Sequence, residues 1–162
     1  MDTAFLDQLE QTAKSGGPLA AIDKLAAELK AKKDYNALFY TLLMKKRVEL
    51  GASPIATGSN TDLPASMHRA FEEGIADAAR TVGALYLAEG LIPQAWGYFR
   101  MLNEVGPVAE ALQNLELDDT MDAQAIIDIA FHQGVLPDKG FDWVLERFGT
   151  CSAITVMSSD AN

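Results

Sequence analysis

The sequence predicts an all-α chain built from stacked antiparallel helical hairpins. Three observations predict it. Apolar residues recur at spacings of three and four over most of the 162 residues. Glycines and Gly-Pro pairs punctuate those stretches where one helix should stop and the next begin. A Gly-hydrophobic-hydrophobic-Pro turn leading into an aromatic-bearing helix occurs twice, at an offset of 44 residues.

The elements follow in order. Asp2 or Thr3 caps a first helix carrying Phe5, Leu6, Leu9 and Ala13 on one face. Ser15-Gly16-Gly17-Pro18 ends it and opens a second over 18–32, with Leu19, Ile22, Leu25 and Leu29 in phase. Asp34 caps a third over 35–50, closed by Gly51. Lys45, Lys46 and Arg47 fall in its last turns, where cations complement the helix dipole. Residues 51–63 read as the one long loop. Pro64 opens a fourth helix reaching Glu89, with Gly74 as a place where it could bend. Pro93 opens a fifth over 93–104, and Gly106-Pro107 leads into a short one ending at Leu115. Asp118, Asp119 and Thr120 offer the cap of a seventh over 121–133. Pro137 starts an eighth that closes at Phe148-Gly149. Ala153 to Met157 alternates as a short strand would. The organisation expected is a helical repeat domain over 1–149, and a tail or the start of a further segment over 150–162.

The repeat pairs Gly90-Leu91-Ile92-Pro93 with Gly134-Val135-Leu136-Pro137, Phe99 with Trp143, and Met101 with Leu145. Residues 76–109 resemble one unit of the tetratricopeptide (TPR) family. Gly83 and Tyr86 stand at the small and aromatic positions of the first helix, and Gly90 at the turn. Ala95 and Phe99 stand at the packing positions of the second helix, and Pro107 at the terminal proline. Ala79 replaces the opening tryptophan, and the second copy departs further, with Ile127, Ala130 and Lys139 at the expected Gly, Tyr and Ala. The resemblance implies a divergent TPR-like right-handed array and a protein or peptide partner. Peptide-binding members hold a terminal carboxylate with cations and Asn on their first helices. Arg80 matches one such position, but Asp77 and Ala84 beside it do not, so no carboxylate clamp is carried over.

Composition narrows the function classes. The net charge is -10. Residues 1–47 hold 8 Lys/Arg against 6 Asp/Glu, whereas 48–162 hold 5 against 17. A nucleic-acid partner needs concentrated positive charge and is not expected. The one cysteine, Cys151, cannot form an intrachain disulfide and has no basic neighbour in sequence to activate it. A cytoplasmic location is expected, since the first residues lack a basic, apolar leader and no apolar run reaches membrane-spanning length.

No phosphate-binding glycine loop or nucleophile elbow stands in the chain. Asp128 and His132 share a helical face, but two ligands make no metal site and His68 is distant in sequence. The acidic run from Glu116 to Asp122 lacks the glycine and spacing of a calcium loop. No enzyme activity and no cofactor are expected. The reading is a protein-protein interaction or scaffold module without a membrane partner, and homo-oligomerisation is compatible with it. Candidate partner-binding residues are Arg80, Leu87, Trp96, Tyr98, Asp128 and His132. The alternative is a helical accessory domain of a larger enzyme whose catalytic part lies beyond residue 162. The apolar stretch from Thr150 to Met157 motivates it.

Overall fold

Side-chain caps start helices at Asp2, Asp34 and Asp122, and left-handed residues follow helix ends at Lys33, Gly51, Gly90, Asn103 and Gly134. A computed structural model describes residues 2–55 and 63–159. Among these residues the chain is all-α, with helical hairpins and no strand. Residues 56–62, most of the expected long loop, lie outside the described residues.

The chain divides into two densely packed units, Met1–Val82 and Gly83–Asn162. In the first, α1 spans Thr3–Ala31 and α2 spans Tyr35–Glu49. Helix α1 is two limbs, because Gly17 interrupts it at φ 84°, ψ 176°. An L-side chain is strained at that φ, so the Gly17-Pro18 pair breaks the helix as its sequence suggests. Lys33, at φ 59°, turns the chain into an antiparallel α1–α2 hairpin. The Asp34 carboxylate caps α2 by accepting from the Ala37 amide at 3.1 Å. Ile22, Leu29, Tyr35, Leu38 and Phe39 are buried. Leu19, expected on the inner face, is exposed, because it sits in the first turn after the Gly17 break.

Arg47 is buried, and its charge is not left bare. Its Nε donates to the Ser53 carbonyl at 2.7 Å, and its guanidinium lies 6.0 Å from the centre of the Phe71 ring. The residues after α2 are thereby tied to it. Helix α3 spans Ala65–Ala88 and stays helical through Gly74. The expected bend is not what Gly74 provides. A Cβ there would collide with the Lys46 side-chain stem, so the glycine serves close approach to α2.

The second unit begins in the last turns of α3. Helix α4 spans Ile92–Met101 and α5 spans Gly106–Gln113. Helix α4 stops three residues short of the expected Glu104, because Asn103 adopts φ 56° and reverses the chain. A Cβ on Gly83 would stand 2.7 Å from the Phe99 ring, so α3 and α4 pack as closely as a glycine allows. Ala95, Phe99, Val108 and Leu112 are 0–3% exposed and form the centre of this core with Ile126, Ile127, Trp143 and Val144. Met101, which aligns with Leu145 in the repeat, is exposed, whereas Leu145 is half-buried against the core.

Helix α6 spans Ala123–Ile127 and is capped by Asp122, whose carboxylate accepts from the Ala125 amide at 3.1 Å. The expected cap at Asp118 to Thr120 is a separate turn, closed by the Thr120 amide and hydroxyl donating to Asp118 Oδ1. These bonds hold the Asp118 carboxyl below its ordinary pKa, the hydroxyl contributing most. Helix α6 does not run on to residue 133 as an α-helix. It widens into a π-helical turn, Asp128–His132.

Helix α7 spans Pro137–Ser159 and breaks at Gly149 (φ 77°, ψ 176°), with nearly the same backbone as Gly17. Beyond the break the chain is helical again, not the short strand its alternation suggested. Three hydroxyls bond back onto helix carbonyls there. Thr155 donates to the Cys151 carbonyl, and Ser158 and Ser159 both donate to that of Thr155, at 2.8–3.0 Å. Lys139 ties α7 to α5. Its ammonium donates to the carbonyl of Gln113 in the last turn of α5 at 2.6 Å and to that of Leu115, just beyond the helix, at 2.9 Å. The same ammonium lies 5.2 Å from the Trp143 ring centre.

The Gly83–Phe99 contact makes two opposite changes costly. Phe99→Ala should cost about 3–5 kcal/mol by leaving a cavity. Gly83→Leu should cost about 1–3 kcal/mol or more by overpacking. Urea denaturation measures both, and a loss under about 1 kcal/mol for Phe99→Ala would contradict this packing.

Candidate functional site

The six candidate residues do not converge on one point. Arg80 belongs to the first unit, where its guanidinium meets the Asp77 carboxylate at 3.2 Å on an exposed helical face. The other five belong to the second unit. Leu87 is half-buried against the core. Tyr98 is half-buried and stacks on Tyr86, with ring centres 5.8 Å apart and planes inclined by 24°.

Trp96 and Asp128, 32 residues apart in sequence, are brought together by a residue that sequence reasoning missed. The Trp96 indole Nε1 donates to the Gln133 side-chain oxygen at 2.7 Å. The Gln133 side-chain nitrogen donates to Asp128 Oδ2, also at 2.7 Å. An indole can only donate and a carboxylate can only accept, so the two neighbours fix which way the amide faces. Trp96 is 9% exposed, which removes it as an open hot spot. Its bulk fills the core, and its one polar atom is satisfied at the edge.

The π turn makes this relay. The Gln133 amide donates to the Asp128 carbonyl, five residues back. At the matching place before Gly90, the Glu89 amide donates to Leu85, four residues back. The next bonds agree: Leu91 donates to Tyr86, whereas Val135 donates to Ile129. The second copy therefore holds one extra residue, and its offset from the first changes from 44 at the turn to 43 in the helix before it. The ungapped alignment that set Ile127 and Ala130 opposite Gly83 and Tyr86 is corrected to Ile126 and Ile129. Ile126 and Ile129 are buried, as are Ile127 and Ala130. Close packing in this copy comes from the other helix: a Cβ on Gly140 would stand 2.8 Å from the Phe131 backbone nitrogen.

His132 shares the π turn with Asp128 and is exposed, its ring edge-on to Phe131 with centres 5.3 Å apart. In the same turn the Asp128 carboxylate accepts from the Gln133 side-chain amide. Among the described residues, no three His, Cys, Asp or Glu side chains are grouped to hold a metal ion.

The first unit has a groove of about 210 Å³ between α2 and α3, lined by Leu42, Lys45, Lys46, Gly74, Asp77 and Thr81 among others. Its charges are mixed. Lys45 also reaches Asp23 on α1 at 2.7 Å. That hydrogen bond raises the Lys45 pKa above its ordinary value, against a small opposing effect of burial.

Compared with known proteins, the chain matches no family model, no curated protein and no solved structure.

Two outcomes follow. In a double-mutant cycle of Trp96→Phe and Gln133→Leu, the stability effects should be non-additive by about 0.5–1.5 kcal/mol, the value of one buried-edge hydrogen bond. Full additivity would mean that the indole is satisfied some other way. Asp23→Asn should cost about 0.5 kcal/mol or less at neutral pH, since both side chains are over one-third exposed. A raised lysine pKa stabilises the fold fully below the unfolded value of about 10.5, and this is lost as pH rises through the higher folded value. The difference between wild type and Asp23→Asn should therefore shrink above pH 10.5 in urea titrations.

Proposed function

We propose that the chain is a protein-protein interaction or scaffold module of the TPR-like class, with no catalysis of its own. The observation that carries the reading is the α3–α4 hairpin, where Phe99 packs directly on Gly83. Hairpins of that kind bury a continuous core and leave outer helix faces for a partner. Arg80 and Tyr98 keep part of their side chains on such faces. The acidic balance of residues 48–162 favours a basic or neutral peptide over an acidic one. Among the described residues no helix is long and apolar enough to cross a membrane.

Display selection with the purified chain tests the reading. One shared peptide motif should be enriched, and its binding should weaken by roughly tenfold or more in Tyr98→Ala or Arg80→Ala, with unchanged circular dichroism. Failure to enrich any motif would count against the proposal. Substrate turnover abolished by His132→Ala would replace it with an enzyme.

A further inference from the structure

The first limb of α1, residues 3–16, keeps its polar bonds to itself. Among the described residues, its side-chain hydrogen bonds and ion pairs all close within the limb or on its own cap. The Asp2 carboxylate accepts from the Ala4 amide, and the Thr12 and Ser15 hydroxyls donate to the carbonyls of Gln8 and Gln11. Lys14 pairs with Glu10 at 2.6 Å. No side chain of the limb is buried, but Phe5, Leu9, Thr12 and Ala13 are half-buried and lie on one helical stripe. Two observations locate what that stripe rests on. The Lys32 ammonium lies 5.8 Å from the centre of the Phe5 ring. A groove of about 360 Å³ is lined by Asp7, Gln8, Gln11, Thr12 and Ser15 together with Lys24. With Phe5 near Lys32 and Thr12 near Lys24, the limb runs back antiparallel along 18–31. Its fold-back turns on Gly17, whose φ 84°, ψ 176° lies in a region open essentially to glycine alone. A Cβ on Gly17 would meet no atom within 4 Å, so nothing is packed around the hinge residue itself.

Charge complements the two limbs. Residues 2–16 carry Asp2, Asp7 and Glu10 against Lys14, whereas residues 18–47 carry 7 Lys/Arg against 3 Asp/Glu. Lys24, Glu28 and Lys32 follow at spacings of four, so the face turned to the first limb presents two lysines. We propose that residues 3–16 are a releasable strap. It swings about Gly17 while the rest of the unit stays folded, and it covers a face that an acidic amphipathic helix takes when the strap is open. Lifting the strap breaks no hydrogen bond or ion pair with the body and exposes no side chain of the strap that was fully buried. Segments fastened in this way open far below the free energy of global unfolding. The strap itself shows what the face accepts: Phe5 and Leu9 one turn apart on a helix, with Asp7 beside the lysine. Seated there, it is an autoinhibitory contact, since a helix arriving from another molecule must displace it. This proposal uses the first unit alone and does not rest on the TPR-like reading.

Hydrogen exchange on the whole protein tests the strap, and a labelled peptide of residues 2–17 tests the face. Amides of 3–16 should exchange roughly a hundredfold or more faster than those of α2, after correction for intrinsic rates, because a helix this short is marginal once it is lifted. Gly17→Ala, strained where it stands, should speed exchange of 3–16 by a further factor of roughly ten. Leu9→Glu should act in the same direction by setting a charge against the apolar stripe. Unchanged exchange of α2 in either variant shows that the body is still folded. The peptide should bind the Leu9→Glu chain roughly tenfold or more tightly than the wild type, whose own strap competes for the face. Lys24→Glu added to that chain should remove the gain, by setting like charge opposite Asp7. The proposal is overturned if 3–16 and α2 lose protection together at one rate. It is also overturned if the peptide binds wild type and Leu9→Glu alike, or neither of them at a peptide concentration of about 1 mM, the effective concentration of a tethered segment.

Discussion

The second unit depends on two places where helices approach until only a glycine fits. At Gly83 the intruding group is the Phe99 ring, and at Gly140 it is the backbone of Phe131. Each contact sets the spacing of one helix pair, and the buried side chains from Ala95 to Val144 fill what is left. The two hairpins solve one problem with the small residue on opposite helices. In the first copy the glycine lies before the turn, and in the second after it. That exchange explains why the second copy looks poor by sequence while still packing tightly.

Polar groups then lock the arrangement at its edges. Lys139 reaches two carbonyls left over at the end of α5, and its charge also lies over Trp143. Gln133 joins the core indole of Trp96 to the Asp128 carboxylate. Neither residue would attract notice as an isolated letter, since each acts by completing the hydrogen bonding of groups brought close by the fold. In the first unit Arg47 does the same for the Ser53 carbonyl. These contacts orient the hairpins more than they hold them, as the apolar burial is far larger than the net worth of a few hydrogen bonds.

Much of the architecture was legible because its signals are local. The Asp34 cap, the Gly17-Pro18 break and the turn at Gly90 each depend on a few adjacent residues, and the structure shows each in place. What could not be read depends on context. Ile154, Thr155 and Val156 favour a strand by their branching, yet the segment is helical, with hydroxyls of Thr155, Ser158 and Ser159 turned onto helix carbonyls. Asp118 to Thr120 has the composition of a cap, but its bonds close a turn, and Asp122 caps the helix. Of the candidate site, the pairing of Trp96 with Asp128 was invisible, because no spacing announces a π turn and Gln133 acquires its role only through it.

That π turn is a phase shifter. An α-helix advances about 100° per residue, so one surplus residue turns everything upstream by nearly a third of a revolution relative to the turn at Gly134. Around Asp128–His132 the residues Ile126, Ile127, Ile129 and Ala130 all lie in the interior. Sequence comparison without a gap would describe such a repeat as decayed. The hydrogen bonding of the two copies corresponds once that one residue is set aside. The surplus residue is lodged where the widened turn delivers Gln133 to the rim of the core.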